Sequence, residues 1–140
     1  MSQAFVADAS VAIGWVHPGQ ATAISAATLD AIAEGSVFEV PALWPLEVAN
    51  ALVVLTRRGK LTERERRTAV SWLRAFPFRL DHDGAAGALS TLSDIAVAHR
   101  LSVYDATYLE LAERRRLALA CVDGPLRKAA QRAGIRLWAP

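Results

Sequence analysis

The sequence predicts an α/β fold, a three-layer sandwich in which helices cover both faces of a central parallel sheet of four to five short strands, with 1–140 forming one domain. Three observations lead there. Short apolar segments alternate with longer segments of helical periodicity along the whole chain. The apolar segments lack the in/out alternation of a sheet with one wet face, which suits strands buried on both sides. No linker, low-complexity tract or internal repeat divides the chain.

The elements follow in order. Residues 4–7 are a short apolar strand that ends at Asp8, and 9–16 read as a short helix. Residues 21–34 repeat Ala, Ile and Leu at three- and four-residue spacing, a helix stopped by Gly35. Residues 37–40 are β-like and end at Pro41. Pro45 suits the first turn of a helix that runs to about Arg58 and closes at Gly59. Thr62-Glu63-Arg64-Glu65 has the capping-box pattern and opens a helix to about Ala75. Residues 76–80 form a strand, placed at a sheet edge by Pro77, which has no N–H for an inner ladder. Helices follow over about 84–99 and 104–115. Residues 117–122 are a continuous apolar run, hence a buried strand; 124–133 are the last helix and 136–138 a short terminal strand.

The N-terminal stretch lacks a basic region and its apolar run is cut by Asp8, so no export signal is expected. No apolar stretch reaches the ~18 residues of a membrane span. Cys121 is the sole cysteine and three histidines are scattered, which leaves the thiolate and imidazole zinc patterns without material. A soluble, cytoplasmic protein is the expectation. The basic residues are nearly all arginine, clustered at Arg57-Arg58-Gly59-Lys60, Arg64 with Arg66-Arg67, Arg114-Arg115-Arg116 and Arg127-Lys128. If four of the fourteen acids meet at one site, the sixteen basic side chains outnumber the other acids by six, a mild attraction for phosphates. Arginines on exposed helix faces also serve solubility alone.

In a doubly covered parallel sheet, ligands sit outside the carboxyl ends of the strands where the strand order switches. Acids just after strands therefore carry most information. Asp8 and Asp123 end two strands, and Asp105 lies in the first turn of a helix. Each has a structural reading beside the functional one. Asp8 or Ser10 can cap the helix that follows, Asp123 can cap the last helix, and Ser102-Val103-Tyr104-Asp105 matches a capping box. Glu47 differs, because it sits in Leu46-Glu47-Val48-Ala49-Asn50-Ala51-Leu52-Val53-Val54-Leu55, apolar enough to be expected buried nearly all round. A buried carboxylate needs a partner or a cation, and Asn50, one turn on, is placed to orient it. The other reading is an acid favoured by the helix dipole.

Four blocks then stand together in order: Val6-Ala7-Asp8-Ala9-Ser10; Pro45-Leu46-Glu47-Val48-Ala49-Asn50-Ala51-Leu52; Ser102-Val103-Tyr104-Asp105-Ala106-Thr107-Tyr108-Leu109-Glu110-Leu111-Ala112; and Val122-Asp123-Gly124-Pro125-Leu126-Arg127-Lys128-Ala129-Ala130. Together they resemble the four signature blocks of VapC-type PIN-domain toxins, across essentially the whole chain. One departure shows: where that family commonly has Thr or Ser two residues before the last aspartate, this chain has Cys121.

The resemblance implies a PIN-like sheet and a metal-dependent endoribonuclease, the toxin of a type II toxin–antitoxin pair, that hydrolyses RNA phosphodiester bonds. It also implies a homodimer and a cognate VapB-type antitoxin. Four converging carboxylates raise one another's pKa unless a cation intervenes, and all-oxygen ligands favour Mg²⁺ or Mn²⁺ over zinc. On this reading Asp8 and Asp105 are the core metal ligands. Glu47 positions or deprotonates the attacking water, and Asp123 completes the shell directly or through water. Ser10, Asn50 and Thr107 stand behind them, orienting the ligands. Tyr108 is read either as core or as a stacking surface for a base, and Trp44, Trp72 and Phe76 either as core or as an apolar groove for a partner helix.

The alternative reading is a catalytically weak PIN-like module that binds RNA or a partner. A phosphorelay receiver would need an acidic pair after the first strand and a lysine after a late one, and the only lysines are Lys60 and Lys128, after or inside helices. A Gly-x-Ser-x-Gly elbow is absent, and Gly59-Lys60-Leu61 lacks the Ser/Thr of a P-loop.

Overall fold

The computed structural model of the chain describes residues 3–139; Met1 and Ser2, part of the stretch read for an export signal, lie outside them. Within the described residues four strands form one sheet: β1 (Phe5–Ala7), β2 (Phe38–Pro41), β3 (Phe78–Asp81) and β4 (Ala118–Ala120), ordered β3-β2-β1-β4 with every pair parallel. Among the described residues seven α-helices flank it: α1 (Ala9–Val16), α2 (Ala23–Ala33), α3 (Trp44–Arg57), α4 (Glu63–Ala75), α5 (Ser93–His99), α6 (Val103–Arg115) and α7 (Gly124–Arg132). The result is the α/β sandwich that the apolar, non-alternating strands imply. β1 and β4 are buried at every position, as strands covered on both faces must be, although β4 ends the sheet. No helix among the described residues is long and apolar enough to cross a membrane.

Caps fix several helix starts. Thr62 accepts from the Glu65 N–H while Glu65 accepts from the Thr62 N–H, and Thr22 and Ser25 exchange the same pair of bonds at the head of α2. α2 therefore begins two residues later than periodicity alone suggests. Gly35 and Gly59 follow α2 and α3 with φ of +104° and +72°, the left-handed conformation that glycine adopts at least cost. α5 and α6 close through the same conformation on arginines instead, Arg100 and Arg116.

Three expectations need correction. The third strand starts at Phe78, because Phe76 closes α4 and Pro77 has no N–H to give; it does lie at the sheet edge. The expected helix over 84–99 is wound in three ways: a 3₁₀ turn at Gly84–Gly87, a π turn at Ala88–Leu92 and then α5. Ser93 donates its hydroxyl to the Ala88 carbonyl across the π turn. The terminal strand shrinks to one bridge, Leu119 with Leu137, on the free side of β4.

Aromatic rings fill one face of the sheet. Phe38 touches Phe5, Trp15, Trp44 and Phe78, all with ring centroids within about 6 Å. Trp15 also donates its indole N–H to the buried Thr28 hydroxyl, tying α1 to α2. On the other side α6 packs against α5 and α7 and crosses β1 and β2. This crossing matters for the site, since one helix then reaches the ends of several strands.

Candidate functional site

The strand order switches between β1 and β4: the chain steps outward through β2 and β3, then returns to the far side of β1. The Asp8 N–H donates to the Ala120 carbonyl at 3.0 Å, so the carboxyl ends of these two strands are stitched together. Asp8 follows β1, and Asp123 follows β4 by three residues. Both lie at the crevice where a doubly wound sheet holds ligands.

Asp8 stands at the N-cap position of α1 but its side chain caps nothing. It is buried, at 8% exposure, and Oδ2 accepts instead from the Ser10 hydroxyl at 2.7 Å. Burial raises its pKa, the Ser10 hydrogen bond opposes this, and the charges of Glu47 and Asp105 add to the rise, from 3.8 to about 6. Glu47, in the first turn of α3, is also raised, by burial and by Asp105 against the pull of Tyr108. Asp105, in the first turn of α6, is raised by burial and by Asp123. Each acid thus feels the next, and all four are within electrostatic reach of one site. None of them forms an ion pair among the described residues.

Asp81, at the end of β3, shows what a structural carboxylate looks like in this fold. Burial works to raise it, but Arg114 grips both oxygens at 3.0 and 2.6 Å and the Gly84 N–H donates as well, so the net direction is down. Glu39 on β2 similarly meets Arg115 at 3.3 Å. The difference between these acids and the four at the β1–β4 crevice is the missing cation.

The residues expected behind the acids divide. Ser10 bonds Asp8 as described. Asn50 is exposed and takes part in no side-chain hydrogen bond among the described residues, so nothing ties it to Glu47. Thr107 is buried but spends its hydroxyl on the Tyr104 carbonyl at 2.5 Å. α3 is buried along one stripe, Trp44, Val48 and Leu52, and not all round; Leu46 is 73% exposed. The Glu47 partner comes from elsewhere: Tyr108, fully buried on α6, donates its hydroxyl to Glu47 Oε1 at 2.5 Å. Burial excludes Tyr108 as a surface for stacking bases. The exposed aromatic beside Asp105 is Tyr104, at 66%.

Asp123 fills the structural role expected of it, the cap of the last helix, and lies on the Asp105 side of the crevice. It accepts from the Leu126 N–H at 2.9 Å as the cap of α7, and it faces Asp105 electrostatically. Cys121 is fully buried and its thiol is pushed up to about 12 by burial and by the charge of Asp8, so it is a small inert strand-end residue. Its carbonyl accepts from Arg127 at 2.9 Å, which places a guanidinium on the Cys121–Asp123 turn.

No three His, Cys, Asp or Glu side chains among the described residues lie close enough to hold an ion by themselves. The acids therefore do not form a closed coordination shell of side chains. They do suit a hard cation that takes one or two carboxylates and completes its shell with water, as Mg²⁺ does. The Asp8 carboxyl, raised by its burial and further by two neighbouring acids, with no basic side chain paired to it among the described residues, is the observation that makes this fit.

No family model matches the chain, and no curated protein matches it. Among solved structures, it is similar to PAE2754 from Pyrobaculum aerophilum, at 22% identity with a TM-score of 0.64, over 92% of this chain and 81% of that one. At that identity the likeness bears on the fold, and it agrees with the sandwich described above.

Proposed function

We propose that the chain is a metal-dependent endoribonuclease, the toxin of a VapC-type toxin–antitoxin pair. The observation that carries the reading is the group of four carboxylates at the switch between β1 and β4, Asp8, Glu47, Asp105 and Asp123, none in an ion pair among the described residues, with Asp105 acting on Asp8 and Glu47 and Asp123 acting on Asp105. A bound Mg²⁺ or Mn²⁺ supplies a water nucleophile and offsets charge on the phosphate. Asp8 and Asp105 would hold the ion, with Asp123 nearby, directly or through water. Glu47 orients or deprotonates the water, and Ser10 holds Asp8 in one rotamer. Exposed Tyr104 offers a face for an unpaired base, and Arg127 a cation for a phosphate.

A homodimer and a VapB-type antitoxin belong to the same reading. The groove between α1, α2 and α4, about 620 Å³ and lined by Trp15, Leu29, Leu61, Ala69 and the 57%-exposed Trp72, is consistent with an apolar partner segment. Trp44, by contrast, is buried, and Phe76 packs against the core.

The test is cleavage of total cellular RNA by wild type and Asp8→Asn, each shown to be folded, with and without Mg²⁺ or Mn²⁺. Discrete metal-dependent fragments that Asp8→Asn loses by about a hundredfold or more support the nuclease. Uncut RNA with folded, metal-loaded wild type favours the catalytically weak binding module.

A further inference from the structure

We propose that Tyr108 is a positioning residue for Glu47, its hydroxyl fixing one carboxylate oxygen so that the other is presented to the ion and its water. The inference rests on the nuclease reading above. Glu47 starts a helix whose own side chains offer it nothing: Asn50, one turn on, is exposed and unengaged, and Leu46 is largely in solvent. A half-buried glutamate with three rotatable bonds would sample several rotamers, and a water-activating carboxylate has to be held in one. Tyr108 supplies the constraint from another element, 61 residues away in sequence, with an O–H···O distance of 2.5 Å to Oε1. Oε2 has no hydrogen-bond partner among the described residues.

The tyrosine itself is enclosed by the core. Its side chain is fully buried on α6, and the same helix carries Asp105 one turn earlier. A single rigid element thus sets the position of one acid directly and of another through a hydroxyl. A phenylalanine would fill the same core volume, so the hydroxyl is the part whose purpose needs explaining. Buried tyrosine hydroxyls need an acceptor, and a backbone carbonyl would serve. Here the acceptor is instead a carboxylate oxygen on another helix, Glu47 Oε1 on α3.

The experiment is a double-mutant cycle on the full chain with Tyr108→Phe, Glu47→Gln and both together. It reads Mn²⁺ affinity by electron paramagnetic resonance, kcat and KM on a single-stranded RNA oligonucleotide, and urea stability in EDTA. If Tyr108 acts through Glu47, Tyr108→Phe lowers kcat or Mn²⁺ affinity about ten- to a hundredfold, the usual range for loss of an outer partner, with KM for RNA within about twofold. The double variant is then no worse than Glu47→Gln, and p-aminophenylalanine in place of Tyr108, which keeps a donor on the ring, recovers activity. The inference is overturned if Tyr108→Phe leaves kcat and Mn²⁺ affinity unchanged whatever it does to stability, if the two losses multiply, or if the amino analogue fails to rescue. Wild type that binds Mn²⁺ and cuts RNA while Tyr108→Phe does the same defeats the positioning role alone. Wild type that neither binds Mn²⁺ nor cuts RNA defeats the nuclease reading and this inference together.

Discussion

Ionised Asp8 works against folding in the metal-free chain. Its carboxyl rises from 3.8 to about 6, chiefly by burial, so between those values the folded chain keeps a proton that the unfolded chain has released. Its contribution to stability is fully present below 3.8 and is lost as pH climbs through about 6, a swing of roughly 3 kcal/mol at 1.36 kcal/mol per unit. In EDTA, Asp8→Asn should therefore be more stable than wild type at neutral pH by up to roughly 3 kcal/mol, and the gap should close toward about pH 4. Urea midpoints across that range check this, and a gap independent of pH would show that the Asp8 charge is not its source. Tyr104 carries a second expectation. If a base stacks on it, Tyr104→Ala raises KM for RNA about fivefold, the low end of 1–3 kcal/mol per stacked base, and leaves kcat near wild type; an unchanged KM removes it from the substrate path. Asp8, Asp105 and Asp123 are legible in the sequence because strand ends and a helix start announce them. Glu47 is reached on a premise that does not hold, since α3 is buried along one stripe only. The Tyr108 hydroxyl is invisible to spacing, because its partner lies 61 residues away and only the fold joins them.

Elements are joined at the opposite side of the sheet by Asp81 and Arg114, which pin the end of β3 to α6. The carboxylate side chain is 2% exposed and the guanidinium 32%. Breaking a buried pair costs about 3–5 kcal/mol, and with a third of Arg114 in water Asp81→Asn should cost about 2 kcal/mol at neutral pH. Because the Asp81 pKa lies below its ordinary value, the stabilisation is present above about 4 and is lost on acidification, so wild type and variant should converge in acid. Chemical unfolding at both pH values measures it, and RNA cleavage per folded molecule should be unchanged. A variant as stable as wild type at neutral pH would make this pair ornamental. The element order of the fold is legible because local signals agree with the global outcome: apolar runs at β1 and β4, the capping box at Thr62, and glycine stops at Gly35 and Gly59. The stops of α5 and α6 are less plain, since Arg100 and Arg116 occupy a conformation that the sequence advertises only when glycine holds it. The windings over 84–99 are hidden for a related reason. Composition there favours a helix, while the Ser93 bond to the Ala88 carbonyl belongs to a π turn that periodicity does not register.

The molecule as a whole sets two charge distributions against each other. Of sixteen basic side chains, Arg66, Arg67, Arg114 and Arg115 are in ion pairs, which leaves twelve without a carboxylate partner among the described residues. Those twelve attract phosphates, while the four acids at the crevice repel them. Attraction through phosphates weakens as salt rises: gripping about four phosphates of a single strand gives a log–log slope near −3, roughly a fiftyfold loss between ~50 and ~200 mM salt. Magnesium separates the two parts. If arginines alone bind RNA, millimolar Mg²⁺ competes as a counterion and weakens the complex. If the acids hold an ion at the crevice, Mg²⁺ cancels their repulsion and binding tightens. For a cleavage-resistant RNA oligonucleotide at constant ionic strength, the sandwich with its acidic crevice therefore predicts that added Mg²⁺ strengthens binding to wild type. It predicts further that Asp8→Asn, with less charge to cancel, binds RNA more tightly than wild type in EDTA and gains less from Mg²⁺. Fluorescence anisotropy reads both, and a Mg²⁺ effect that only weakens binding, equally in the two proteins, would place the acids outside the RNA path.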